Sequence, residues 1–240
     1  KMYHRICIIL SSCLYLCFGN SLYAERTILV TAATSGLGES ICDTLAQSGD
    51  NLILAGRASE KLETLKAKLE KKYKGKYTIL QFDYKDFPSI QKLSSKIKHP
   101  LDGLVLIPPR STLPSKGMPS PQEWQEALND CFIAPLEFVR GIASTFNPES
   151  SIVVISGITS IYYIPKYAST NVLKVMWAAE MKNLVTHLAP QKVRVNEISP
   201  DVILTQFHIQ KIPSRNTESS RSYEEQLLFE TQDIPLNRYR

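Results

Sequence analysis

Two groups of residues in this sequence have types and spacing that could do chemistry. The first is the run VTAATSGLGE, with Gly36 and Gly38 where a strand would pass into a helix. Glycines at such a junction let the backbone come close to a pyrophosphate and let helix amides point at it. The competing reading is a tight packing turn. The second group lies in SGITSIYYIPKYASTNVLK, where Ser156, Tyr162, Tyr163 and Tyr167 precede Lys174. A phenol, with a reference pKa of about 10, works as an acid or base near neutrality only with a cation beside it. A spacing of four residues on a helix supplies that neighbour. Tyr162 and Lys166 have the spacing, but Pro165 between them marks a helix entry, so the pair need not share a face. Tyr167 stands seven residues before Lys174, about 10 Å along a helix.

Other chemistries are poorly served. Of five cysteines, three fall in the first twenty residues, leaving Cys42 and Cys131, too few and too scattered for a disulfide framework. Cys131 has no histidine near it in sequence and reads as a small packing residue rather than a nucleophile. Four scattered histidines offer no zinc spacing, and no metal is expected. With 240 residues, 43% hydrophobic and 21% charged, the chain has the composition of a globular protein with a sizeable core. A disordered tail and a disulfide-stapled miniprotein are excluded. A formal charge of +5 does not indicate a nucleic-acid binder. The lysine-rich run from Lys61 to Lys76 reads as a solvated helix face, with an anionic-surface contact as its rival.

Ile6–Gly19 is a mostly apolar stretch behind Lys1, His4 and Arg5, followed by a short polar region ending Leu22-Tyr23-Ala24. That layout predicts a signal peptide over residues 1–24, cleaved after Ala24, and one domain over 25–240. The stretch reaches roughly 21 Å as a helix, short of a hydrocarbon core of about 30 Å, which disfavours a membrane anchor. An extra apolar helix on a cytoplasmic domain is the third reading. An exported location, periplasmic or secretory, follows from the first.

From Arg26 onward, short β-branched runs alternate with helical patterns. Strands are predicted at Thr27–Thr31, Asn51–Ala55, Thr78–Phe82, Leu101–Ile107, Ser151–Ile155 and Val193–Ile198. Helices are predicted at Gly36–Ser48, Ser59–Tyr73, Pro88–Ile97, Pro121–Phe146 with a break near Pro135, and Pro165–His187. The near-continuous apolar strands suggest cover on both faces, and the alternation predicts a Rossmann-like, doubly wound α/β sheet in three layers. Ligands of such sheets bind beyond the carboxyl ends of the strands, in the loops that carry both groups above.

The glycine turn, the Ala55-Gly56-Arg57 that follows strand two, the FDYKD that follows strand three and the RVNEISP of strand six together resemble the short-chain dehydrogenase/reductase family, and within it the ketoacyl reductase-like group, from Arg26 to Arg240. The resemblance implies a dinucleotide site at Thr31, Ser35, Gly36, Leu37 and Gly38. It places Arg57 where the family often holds the 2′-phosphate of NADP, which implies NADP(H), and Asp83 on the adenine side. A surface arginine and a turn-capping aspartate are the alternatives. Ala32 replaces the first glycine of the family's turn, which is strained only if its φ is positive.

In that family a tyrosine is the general acid/base, a lysine four residues later holds the ribose, a serine polarises the substrate carbonyl and an asparagine supports a relay water. The flanking signatures put Lys174 at the lysine. Thr170, Gly157 and Cys131 then occupy the tyrosine, serine and asparagine positions, and no phenol, serine hydroxyl or amide stands there. Ser156 and Tyr167 are the candidates for a rescue, which needs compensating shifts in the chain. After strand four, Leu106-Ile107-Pro108-Pro109 stands where the family has Asn-Asn-Ala-Gly, and Asp201 stands where it has glycine. The resemblance thus implies an NADP(H)-binding module that lacks the standard Ser/Tyr groups, inactive or atypical as an oxidoreductase. An active carbonyl reductase with a relocated tyrosine and an interaction protein that no longer binds nucleotide are the alternatives. Expected partners are a nicotinamide dinucleotide, an unidentified small molecule, and a second copy through the helices at 121–146 and 165–187. The resemblance implies that the sequence stops before the helix and strand that usually close the family's sheet, and that the polar segment Pro213–Glu230 matches a substrate lid, expected to be poorly ordered unless a ligand or partner holds it.

Overall fold

The computed structural model describes residues 26–114, 117–164, 168–201, 203–205, 209–210 and 222–232. The leader-like start, Pro165 through Tyr167 and the stretch 211–221 lie outside them. Six strands form one parallel sheet: β1 (Thr27–Val30), β2 (Asn51–Gly56), β3 (Tyr77–Gln81), β4 (Leu101–Leu106), β5 (Phe146–Ile155) and β6 (Arg194–Ile198), in the order β3-β2-β1-β4-β5-β6. The strand order reverses direction between β1 and β4, the switch point at which such sheets open a crevice.

Side chains alternate across each strand, and the core divides accordingly. Ile28, Val30, Leu52, Leu54, Val105 and Val153 face one layer of helices, α1 (Gly36–Gln47) and α2 (Ser59–Lys72). Leu29, Ile53, Leu104, Leu106, Ile152 and Val154 face the other, built of α3 (Phe87–Ile90), α5 (Ala134–Ile142) and α6 (Ala168–Leu188), while α4 (Pro121–Leu128) packs its Ala127 against Cys131 and Leu173. The three-layer, doubly wound expectation holds. On α2 the inner stripe is Leu62, Leu65 and Leu69, as its spacing predicts. Each such side chain contributes roughly 1.5–3 kcal/mol on burial. Its lysines point outward, and Lys68 and Lys72 pair with Glu39 and Asp43 of α1 at 2.6 and 3.0 Å.

Two expected helices are corrected. Pro88–Ile97 is not one helix: α3 is a single turn capped by Asp86, and a separate short turn follows at Ser94–Lys96. The Pro121–Phe146 helix opens on a capping box between Ser120 and Glu123. Its irregularity is a π turn over Asn129–Ile133, ahead of Pro135, and Phe146 already belongs to β5. Proline has no N–H for the carbonyl four residues back, that of Cys131. The Trp177 indole donates to that carbonyl at 2.9 Å, so α6 completes what the proline leaves open.

The sheet and its helices lie in a compact unit that ends at Ser199, and residues from Pro200 onward form a second unit. Within the latter, α7 (Tyr223–Thr231) has its own capping box between Ser222 and Glu225. Part of the segment expected to be poorly ordered is therefore a capped helix. Local chemistry at Ser222 outweighs the polar composition that suggested disorder.

Candidate active site

The turn between β1 and α1 is held from several sides. Thr31 is fully buried; its amide donates to Val105 O at 3.0 Å and its hydroxyl accepts from the Ile107 amide at 2.8 Å. Thr31 thus ties the ends of β1 and β4 together at the switch point. Ser35 caps α1, its hydroxyl accepting from Gly38 N at 3.0 Å while its own amide donates to Ala32 O at 2.9 Å. A helix leaves its first amides without intrahelical acceptors. Two of the four at α1 are used in this way, and those of Gly36 and Leu37 have no acceptor among the described residues. Gly38 is required: a Cβ there would stand 2.1 Å from Ala32 O.

Ala32 has φ +48°. The alanine therefore sits in the left-handed region, where its methyl is strained and the family's glycine is not. Ala32→Gly should stabilise the protein by about 0.5–1 kcal/mol, seen as a higher midpoint in urea unfolding with an unchanged slope.

Arg57 follows β2 and its side chain is exposed, while its carbonyl accepts from Gln81 Nε2 at 3.2 Å. Asp83, after β3, accepts from the Lys85 amide at 3.1 Å, and its carbonyl accepts from Asp86 N. That is the turn-capping role offered above as the alternative to an adenine contact.

The second group gathers beyond the ends of β5 and β6. Gly157 follows β5 with φ 172° and ψ 157°, extended backbone open to any residue. Ser156, 9% exposed, donates its amide to Ile198 O at 2.9 Å, and its hydroxyl has no partner among the described residues. Thr170 and Lys174 lie one turn apart on α6, both partly buried. Burial holds the Lys174 amine below its ordinary pKa; Cys131 and Glu197 act against that and Arg110 acts with it. No tyrosine is among the described groups acting on Lys174; Tyr167 lies outside the described residues. Asn171 is buried, with Nδ2 donating to Ile164 O at 3.2 Å and Oδ1 unpartnered among the described residues.

Cys131, in the π turn, is 4% exposed, and burial, followed by Asp130, pushes its thiol up to about 11 with Lys174 drawing it back. Cys131 packs in a buried cluster with Ala127 and Leu173, which fits the packing role its sequence context suggests. The structure thus brings Lys174 and Cys131 together, with Gly157 and Ser156 at the mouth of β5. Asp201 belongs to the second unit and is exposed.

Sequence reasoning missed Glu197, Ser199 and Ser160. Ser199 Oγ donates to Glu197 Oε1 at 2.7 Å, and Ser160 Oγ lies 2.9 Å from Ser199 Oγ. The available signal was a carboxylate inside RVNEISP, a run otherwise read as core strand.

A family model for short chain dehydrogenases matches residues 26–216. An uncharacterized oxidoreductase of Bacillus subtilis, YmfI, is 28% identical over 197 residues, covering 81% of each chain. L-Sorbose reductase from Gluconobacter frateurii, solved with NADPH and L-sorbose, superposes with a TM-score of 0.77 at 19% identity, over 90% of this chain and 84% of that one. An NADPH-bound short chain oxidoreductase from Pseudomonas aeruginosa, described as containing an atypical catalytic center, superposes equally well, with a TM-score of 0.77 at 18% identity and the same coverage. The sheet order, the glycine turn at its switch point and the match over 26–216 agree, and the chain belongs to the short-chain dehydrogenase/reductase family of oxidoreductases.

Proposed function

We propose that this protein binds NADP(H) at the β1–α1 turn and that its centre is atypical, with Thr170 and Gly157 in place of the family's tyrosine and serine. The observation that carries the reading is the turn itself: two amides without described acceptors at the start of α1, over a glycine whose Cβ would stand 2.1 Å from Ala32 O. Amides so placed suit a pyrophosphate, whose charge the helix N-terminus also favours. Arg57, exposed beyond β2, would take the 2′-phosphate, and Lys174 the nicotinamide ribose. The bound dinucleotide would supply the reducing equivalents for exchange between a carbonyl and an alcohol. Relatives solved with NADPH, one of them with an atypical center, support the reading.

Fluorescence titration tests it. NADPH should bind more tightly than NADH, and Arg57→Ala should weaken NADPH about tenfold while leaving NADH within about twofold, because only the former carries the 2′-phosphate. Absence of binding by either nucleotide would leave an interaction protein as the surviving alternative.

Association with a second copy fits the same structure. Val172 and Val175 are 47% and 50% exposed on one face of α6, with Ala179 beside them. Light scattering should find a dimer or larger, and Val175→Asp should yield a monomer, since the seam would bury an unpaired carboxylate.

A further inference from the structure

The chain Ser160–Ser199–Glu197 has a direction that can be derived from proton counting. A carboxylate only accepts, so the single proton of the Ser199 hydroxyl is committed to Glu197. Ser160 must then be the donor in its 2.9 Å contact with Ser199. Its own lone pairs remain for a third group, so the open end of the chain accepts a hydrogen bond while the closed end carries a negative charge. Protonation of Glu197 reverses every bond and makes Ser160 a donor.

The chain sits where this fold does its chemistry. Ser160 follows β5 by five residues and Ser199 directly follows β6, both at the carboxyl edge of the sheet. All three residues are partly exposed, so the open end is within reach of a small ligand. Glu197 has Ser199 as its partner, and the Lys174 ammonium lies within electrostatic reach of its carboxylate.

We propose that Ser160, Ser199 and Glu197 form a proton relay serving an alcohol or carbonyl substrate in place of the family's phenol. Ser160 is the catalytic residue that meets the substrate oxygen. In alcohol oxidation the substrate O–H breaks and its proton joins Ser160 Oγ; the Ser160 proton passes to Ser199, and the Ser199 proton to Glu197. Three O–H bonds break and three form, and the net change carries one proton from the alcohol oxygen to the carboxylate. NADP⁺, when bound, would accept the hydrogen and electron pair of the carbinol C–H bond, as the proposed function provides. Carbonyl reduction runs each bond in reverse. The relay rests on the nucleotide-binding reading.

Two measurements test it. In nucleotide-free protein, urea unfolding of Ser160→Ala, Glu197→Gln and the double variant reads the coupling along the chain: the two residues are joined through Ser199, so their effects on the midpoint should be non-additive. Strictly additive effects overturn the relay. In the second measurement, NADP⁺-dependent oxidation of a panel including 2-butanol and cyclohexanol should fall about 100-fold in Ser160→Ala and in Glu197→Gln. The double variant should be no worse than either, as for groups acting as one unit, and NADP⁺ affinity should stay within about twofold in all. Absent NADP⁺ binding in the unmodified protein would remove the nucleotide reading and the relay with it. Binding retained, with no turnover across the panel or with turnover indifferent to the substitutions, would remove the relay alone.

Discussion

Gly38→Ala should destabilise the protein by about 3 kcal/mol or more and abolish NADPH binding, the first seen by calorimetry and the second by fluorescence titration. The added methyl would lie 2.1 Å from the Ala32 carbonyl oxygen, 2.9 Å from its carbon and 3.0 Å from Ala33 Cα. All three are backbone atoms, so no side chain can swing aside. Ala32 cannot give way cheaply either. It already holds φ +48°, and its carbonyl accepts from the Ser35 amide that sets the start of α1. Its neighbour Thr31 is fixed to β4 through Val105 and Ile107. Movement must therefore open the turn, which separates Gly36 and Leu37 from the end of β1 and disperses the two amides that suit a pyrophosphate. A variant with unchanged stability and nucleotide affinity would show that the turn is looser than its contacts indicate.

The fold was legible because its signals are redundant along the chain. β1, β2 and β4 are short, nearly continuous apolar runs and α2 repeats its inner Leu62, Leu65 and Leu69, so an error at one boundary leaves the layers intact. The π turn at Asn129–Ile133 was not legible in place, because the sequence marks only the proline, and the hydrogen bond that Cys131 O accepts within the turn comes from Trp177, nearly fifty residues away. The same limit applies to the site. The glycine turn is local and shows in ten residues. Thr31 ranked among the residues of that turn, yet its hydroxyl serves the junction of β1 with β4, a pairing across the sheet. The Ser160–Ser199–Glu197 chain joins a loop after β5 to the end of β6, and nothing within either segment announces the other. Helix α7 is the reverse case. Its capping box is local, but the polar composition around it concealed the helix.

Thr170→Tyr combined with Gly157→Ser should raise NADPH-dependent reduction of a carbonyl panel by about 100-fold or more, measured as loss of NADPH absorbance. Position 170 stands four residues before Lys174 on α6, so a phenol installed there shares a helix face with the ammonium group. A cation at that distance favours phenolate and draws a phenol toward neutrality, and a general acid so tuned contributes roughly 10²–10⁴ in rate. The Lys174 amine is partly enclosed rather than free in water, which strengthens its effect on a neighbour. A serine at position 157 meets no backbone penalty, since φ there is 172°, and its hydroxyl would follow β5 at the mouth of the cleft. The gain should depend on both substitutions, because the phenol delivers the proton while the serine hydroxyl polarises the carbonyl. Retained nucleotide binding with no gain would mean that positions 157 and 170 do not face the reacting carbon. Activity in the unmodified protein that disappears in Tyr167→Phe would place the phenol elsewhere in the chain and end the case for a vacant position.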